Sequence, residues 1–198
     1  MTSGGAILWR RLDSSGHDAA ICKSIGNGWH LSGVAIVAES ARPCRVEYEI
    51  ACDTSWLTRR CTLRGYIGST PVALDVRRRV SGSWTVDGVV ATSLQDCTDV
   101  DLAFTPATNL LPIRRLQLEV GQREVVRAAW IRFPELTVEV LDQFYTRQSA
   151  NLYFYESSDG AFRRELRVDA FGWVVDYPGL WCAEASVPLH ALNSRGHD

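Results

Sequence analysis

The chain has 198 residues, of which 46% are hydrophobic and 22% are charged, and its formal net charge at pH 7 is −2. This composition suffices for one folded core, and we expect a single domain over residues 1–198. The slightly negative charge argues against a nucleic-acid-binding protein, which normally carries clustered positive charge. No apolar run approaches the roughly 18 residues of a membrane span, and no secretory signal precedes the first strand, so we expect a cytoplasmic protein.

Alternation of polar and apolar residues, typical of strands with one buried face, recurs along most of the chain. It is clearest from Cys44 to Cys52, where the apolar side chains share one parity and Arg45, Glu47 and Glu49 share the other. Similar patterns occur at residues 29–37, 71–79, 124–133, 136–145 and 162–168. Each of these segments predicts a strand.

Short turn signals rich in Gly, Asp, Ser and Asn separate these strands. They lie at residues 13–16, 26–28, 81–83, 87–88, 159–160 and 177–179. Strand after strand without a long amphipathic helix favours a mainly β fold, in which a long antiparallel sheet is curled as a roll or half-barrel.

The strand pattern is interrupted at Thr105–Leu116, where two prolines occur and leucine and isoleucine fall at helical spacing. Thr108 or Asn109 is a candidate N-cap of a short α-helix. Pro112 would then lie in the first turn, where its missing N–H costs nothing. Because a curled sheet must bury its concave face, we expect this helix to fill the roll.

Two carboxylates precede this segment in a predicted strand from Cys97 to Phe104. Asp99 and Asp101 are two residues apart, so their side chains share one strand face at a spacing of roughly 7 Å. Such a pair can split its pKa values and perform acid–base chemistry. The alternative is a set of structural ion pairs with the arginines that follow, Arg114 and Arg115.

Further polar residues occur on predicted strand faces. Arg59 has the parity of the apolar residues around it and is predicted to face inward, where it pairs with Asp53 or Asp101 or awaits a ligand. Gln143, Tyr145 and Arg147 share another strand face and would present donors and acceptors to a ligand or to solvent. The aromatic run from Leu152 to Tyr155 indicates either a buried strand or a strand that faces a cavity on one side and a partner subunit on the other.

The cysteines and histidines indicate neither a metal site nor a cofactor. Six cysteines without an export signal favour buried free thiols, and neither they nor the four histidines show ligand spacing. No nucleophile elbow or phosphate-binding Gly-rich loop is present, so no catalytic residue is assigned.

The string from Cys97 to Leu116, CTDVDLAFTPATNLLPIRRL, resembles the central motif of the bacterial family named Putative glycolipid-binding, formerly a domain of unknown function. Further blocks match in order: Asp53…Trp56-x-Thr-Arg59, Ser83-Trp-x-Val-Asp-Gly88, Trp130-x-x-Phe-Pro134, Gln143-x-Tyr-x-Arg147, Phe162…Leu166…Asp169 and Val175-Asp-Tyr-Pro-Gly-Leu180. The chain departs from the pattern at Asp96, where the family has Gly in a local turn. The resemblance implies a dimeric spiral β-roll wound around one α-helix at Thr105–Leu116 or its flank.

Three hypotheses for function follow. The first is non-catalytic binding of a small amphipathic lipid- or glycolipid-like molecule, with its acyl chains in an apolar slot between sheet and helix and its polar head group at the mouth of that slot. Candidate ligand-binding residues are Trp56, Arg59, Asp99, Asp101, Asn109, Arg114, Arg115, Gln143, Tyr145 and Arg147. The second is a cofactor-free cyclase, isomerase or hydrolase that acts on a lipid- or polyketide-like metabolite with Asp99 or Asp101 as general acid or base. In the third, the acids and arginines only hold the helix against the sheet.

Overall fold

The computed structural model describes residues 2–190, which form one mainly antiparallel sheet and one short α-helix. The strands of the first half are β1 (Thr2–Arg11), β2 (Gly16–Ile25), β3 (Gly28–Glu39), β4 (Arg42–Asp53), β5 (Thr58–Ile67), β6 (Thr70–Arg78), β7 (Trp84–Val86) and β8 (Val89–Val90). Those of the second half are β9 (Asp99–Leu102), β10 (Arg123–Ile131), β11 (Val138–Ser149), β12 (Leu152–Ser157), β13 (Phe162–Val168), β14 (Val174–Tyr177) and β15 (Trp181–His190). The helix α1 spans Leu110–Leu116, and 3₁₀ turns lie at Thr92–Leu94, Ala107–Asn109 and Ser158–Gly160.

Two meanders build the sheet, and they join where β1 pairs with β15. The first runs outward from β1 to β8 at one edge, and the second runs from β10 back to β15. β9 forms the other edge beside β10. All neighbouring strands are antiparallel except β9 and β10, which are parallel because α1 lies in the connection between them.

The short link from β8 to β9 requires the sheet to curl. A flat sheet of fifteen strands would be about 67 Å wide, whereas the link of residues 91–98 can reach at most about 28 Å. The two ends therefore approach each other: the Thr58 amide donates to the Thr98 carbonyl at 3.2 Å, and Trp84 Nε1 donates to the Cys97 carbonyl at 3.1 Å. The described sheet keeps two edges and is a roll rather than a closed barrel.

The strand faces follow the sequence pattern. In β4 the side chains of Cys44, Val46, Tyr48, Ile50 and Cys52 are all buried, as predicted from their parity. The predicted turns lie between consecutive strands, and the expected free thiols are present, five of the six being buried. The prediction of a mainly β sheet curled around one short helix is confirmed.

The helix lies where the strand pattern is interrupted, but its N-terminus differs from the expectation. Pro112 is in the first turn, as predicted, and Gln117 ends the helix in the left-handed conformation. Neither candidate caps the helix through its side chain. The side-chain amide of Asn109 instead donates a hydrogen bond to Tyr145 Oη at 2.8 Å. Thr108 Oγ1 accepts one from the backbone N–H of Leu102 at 3.2 Å.

Strand β9 is shorter than the predicted strand and is buried on both faces. Asp99 and Val100 have opposite parity, yet each is only 1% exposed. Asp99 faces α1, and Arg115 forms a bidentate ion pair with it at 2.5 and 3.2 Å. Arg115 also donates a hydrogen bond to the Thr98 hydroxyl at 3.2 Å. Together these contacts fix the C-terminal turn of the helix to β9.

A second buried contact fixes the entry to the helix. Asp18 is fully buried, and its Oδ2 accepts hydrogen bonds from Tyr48 Oη at 2.8 Å and from the Thr105 hydroxyl, while its Oδ1 has no partner among the described residues. The Tyr48 ring reaches Asp18 because residue 33 is glycine: a Cβ at Gly33 would lie 2.3 Å from the phenol oxygen. Burial raises the pKa of Asp18 to about 6.

We predict that Asp18→Asn changes how stability depends on pH. A carboxyl whose folded pKa lies above its unfolded value contributes stability at low pH that is lost as pH rises through 6. The unfolding free energy of Asp18→Asn minus that of the unchanged protein should therefore rise by about 2 to 3 kcal/mol between pH 4 and pH 7.5. Urea unfolding at each pH measures this difference, and Asp159→Asn at an exposed position is the control. A difference between Asp18→Asn and the unchanged protein that stays constant from pH 4 to pH 7.5 would contradict the prediction.

Candidate functional site

A cavity of about 320 Å³ lies between the concave face of the sheet and the segment that leads into the helix. Its walls come from β9 and the following loop, from β10 to β13, and from the turn between β14 and β15. The lining residues are Asp101, Leu102, Ala103, Thr105, Asn109, Trp130, Leu141, Tyr155, Ser157, Ser158, Phe162, Tyr177, Leu180 and Trp181. The lining thus combines aromatic and aliphatic side chains with nearly as much polar surface, which suits an amphipathic or polar small molecule.

Aromatic rings form one wall of this cavity. Tyr155, Phe162 and Tyr177 meet edge to face, with ring centroids 5.9 Å apart for Tyr155–Phe162, 6.4 Å for Tyr155–Tyr177 and 6.3 Å for Phe162–Tyr177. Each comes from a different strand or from its end, so the pairing of the strands fixes the rings relative to one another. Such a wall presents a preformed apolar surface to a ligand.

Asp101 is the acidic group of the cavity. Its carboxylate accepts hydrogen bonds from Gln143 Nε2 and, at 3.4 Å, from Thr108 Oγ1. Burial raises the pKa of Asp101 to about 6, although these hydrogen bonds favour the ionised form. A carboxyl with this pKa can either accept hydrogen bonds from a ligand or exchange a proton near neutral pH.

A second layer of polar groups supports the cavity. Asn109 donates to Tyr145 Oη, and the Tyr145 ring packs edge to face against Tyr155 with centroids 5.1 Å apart. Gln143 and Tyr145 are 2% and 1% exposed, so they hold lining residues in place and do not face solvent. The structure thus brings together Asp101, Asn109, Gln143 and Tyr145 among the candidate residues.

Four candidates lie away from this cavity. Three of them belong to two ion pairs, and the fourth is bound by backbone carbonyl oxygens. Asp99 and Arg115 form the buried pair at the end of the helix. Arg59 pairs with Asp53 at 2.5 Å, the first of the two internal partners expected for it, near the start of β5. Arg147 donates to the carbonyl oxygens of residues 118, 149 and 150.

The remaining two candidates, Trp56 and Arg114, meet at the opposite end of the helix. Trp56 stacks on Trp29 with centroids 4.3 Å apart, and the guanidinium carbon of Arg114 lies 5.3 Å from the Trp56 ring centre. The predicted single site is therefore divided between two ends of α1. A single sequence gives no distances across the roll, so the pattern predicts one site where the structure separates these residues.

The three rings of the aromatic wall are not among the candidate residues predicted from the sequence, although strand parity could have identified one of them. In the run from Leu152 to Tyr155, Tyr153 and Tyr155 point inward and are buried, while Phe154 points outward and is partly buried. Parity within β12 thus assigns Tyr155 to the concave face. The contributions of Phe162 and Tyr177 depend on strand order, which a single sequence does not give.

The described residues contain no group of three or more His, Cys, Asp or Glu side chains placed to hold a metal ion. Within residues 2–190, no helix combines the length and the apolar character that crossing a membrane demands.

Comparisons with known proteins agree with this architecture. A family model described as Putative glycolipid-binding matches residues 6–183. The crystal structure of a DUF1089 family protein from Pseudomonas aeruginosa is 32% identical, with a TM-score of 0.76, over 84% of this chain and 91% of that one. A beta-barrel-like protein of domain of unknown function DUF1849 from Brucella abortus is similar in fold alone, with 8% identity and a TM-score of 0.57 over 96% and 99% of the two chains. No curated protein matches the sequence.

The family match includes the string 97–116 and all the blocks on either side of it. The bacterial structure shares both the fold and about a third of the sequence over most of its length. The resemblance noted from the sequence is confirmed, and the chain belongs to the family described as Putative glycolipid-binding.

Proposed function

We propose that the chain binds an amphipathic, glycolipid-like molecule without converting it, with the head group in the aromatic cavity. The observation that carries this proposal is the lining, in which the rings of Trp130, Tyr155 and Phe162 share one cavity with the carboxylate of Asp101. Aromatic faces pack against the C–H faces of sugar rings, and a carboxylate accepts hydrogen bonds from their hydroxyls. The family description supports the same class of ligand.

The size of the cavity limits what enters it. About 320 Å³ is near the lower end of the range of roughly 300–1,000 Å³ for small-molecule sites. This volume suits a sugar-sized head group and not a whole lipid with its acyl chains. Because the cavity opens to solvent, the apolar part of the ligand leaves through the opening.

We predict that Phe162→Ala weakens binding of octyl glucoside about tenfold, because one ring of the aromatic wall is lost. Tryptophan fluorescence is the measurement, since Trp130 and Trp181 line the cavity. Phe144→Ala is the matched control: Phe144 lies on the outer face of β11 with Arg123 over its ring, and the variant should bind as the unchanged protein does. Equal losses in both variants, or no saturable signal in the unchanged protein, would refute the proposal.

We predict that this affinity rises severalfold from pH 5 to pH 7.5 with a midpoint near 6. Asp101 ionises over that interval, and a hydrogen bond to a charged acceptor is stronger than one to a neutral acceptor. Asp101→Asn should remove the pH dependence, while Asp142→Asn on the outer face of β11 should keep it. A pH profile shared by Asp101→Asn and the unchanged protein would assign the effect to another group.

Asp101 also supports the second candidate function, a cofactor-free enzyme, because a pKa of about 6 suits a general acid or base. Asp99 does not, since its side chain is 2% exposed and ion-paired with Arg115. Incubation with alkyl glycosides separates the two functions. A binding protein returns the glycoside unchanged, whereas conversion by the unchanged protein and not by Asp101→Asn would replace binding with catalysis.

We also propose that the chain forms a homodimer through the outer face of the sheet around β1–β3 and β15. Outward side chains there are small or aliphatic, including Leu8, Ile21, Val34 and Val187, and they line a groove of about 480 Å³. Elsewhere the outer face carries ion pairs such as Arg60–Asp75 and Arg123–Glu156. An apolar area of this kind on an otherwise charged surface supports the proposal of a subunit contact there.

We predict that the protein sediments as a dimer and that Ile21→Glu makes it a monomer, because a charge at the centre of the groove would be buried without a partner. Sedimentation equilibrium measures the mass. Val125→Glu, an exposed position on β10, is the control and should leave the dimer intact. A dimer that persists in Ile21→Glu would place the interface elsewhere, and a monomeric unchanged protein would exclude it.

A further inference from the structure

A second cavity, of about 430 Å³, lies at the C-terminal end of α1 and is distinct from the aromatic cavity. It is bordered by the last turn of the helix, by the end of β11 and by the turn between β13 and β14. Two arginines line it, Arg114 from the helix and Arg147 from β11, together with the exposed amide of Gln117. No residue belongs to the linings of both cavities.

Arg114 is held in this cavity by aromatic rings and not by an acid. Its guanidinium carbon lies 5.1 Å from the centre of the Phe171 ring, 5.3 Å from that of Trp56 and 6.0 Å from that of Trp29. One terminal nitrogen donates to the Phe171 carbonyl at 3.2 Å, while the buried Nε has no partner among the described residues. The close approach depends on Gly172, where a Cβ would lie 3.3 Å from Arg114 Cδ.

The second cation is also without an acidic partner. Arg147 donates to the carbonyl oxygens of Leu118, Ser149 and Ala150 at 2.6, 3.1 and 2.9 Å, and within residues 2–190 it forms no ion pair. The acid that lines the cavity is Asp169. Its Oδ1 accepts hydrogen bonds from three backbone N–H groups at 2.9 to 3.0 Å. The cavity therefore has an excess of positive charge.

We infer that this second cavity binds an oxyanion, namely a phosphoryl group, through Arg114 with the support of Arg147. A partly buried guanidinium that has no acid beside it is stabilised by an anionic partner, which offsets its lost hydration. The planar fork of donors matches the geometry of phosphoryl oxygens, and the three rings around the guanidinium hold it in position before the ligand arrives. The phosphoryl group is either free phosphate or the head group of an anionic lipid.

The inference is tested with inorganic phosphate and with octyl phosphate as separate probes, each titrated into the full chain. The fluorescence of Trp29 and Trp56 reports occupancy because both rings contact Arg114. We expect saturable binding, with at least a tenfold loss in Arg114→Gln. Arg45→Gln, a partly exposed arginine on the outer face of β4, is the matched control and should bind as the unchanged protein does.

A second variant keeps the test decisive if Arg114→Gln does not fold. Gln117→Glu changes an exposed side chain at the rim and adds a negative charge, so it should also weaken phosphate binding severalfold. Equal affinity for the two probes identifies free phosphate, and a tenfold preference for octyl phosphate identifies an anionic lipid. No saturable binding of either probe at constant ionic strength, or full binding by both variants, overturns the inference. Octyl glucoside binding by the aromatic cavity is independent of either result.

Discussion

The bidentate pair between Arg115 and Asp99 is the contact on which the rest of the fold depends. A roll that encloses a helix must bury the polar ends of that helix, and a buried charge is tolerated only with a well-oriented partner. Arg115 and Asp99 meet this condition at the end of α1, and Asp18 with Thr105 fixes its entry. With both ends fixed, the helix cannot slide along the concave face.

The fixed helix leaves space at each of its ends, and the two spaces differ in chemistry. The entry side faces aromatic rings and one carboxylate, Asp101, whereas the C-terminal side faces Arg114 and Arg147. The difference follows from the sequence of the helix, since its charged residues are in the last turn, where cations also favour the negative end of the helix dipole. A neutral polar head group suits the first space and an anion suits the second.

Much of the fold was predictable from local patterns, because strand parity and turn chemistry are encoded within about ten residues. The buried parity of β4 and the helix near Pro112 were both predicted from such windows. The parallel pairing of β9 and its burial on both faces were not, since they depend on a crossover between distant strands. For the same reason the sequence grouped Arg59 and Arg114 with Asp101, although the roll keeps them apart.

The position of Asp101 argues for binding over catalysis. A general acid or base needs a carboxyl that is free to reach the reacting atom. Asp101 is instead held by Gln143 and Thr108, and Gln143 is itself buried, so the carboxylate is fixed in place while its remaining lone pairs stay available to a ligand. A fixed acceptor beside an aromatic wall selects a ligand by shape and hydroxyl position, which is how a binding site distinguishes one sugar-like head group from another.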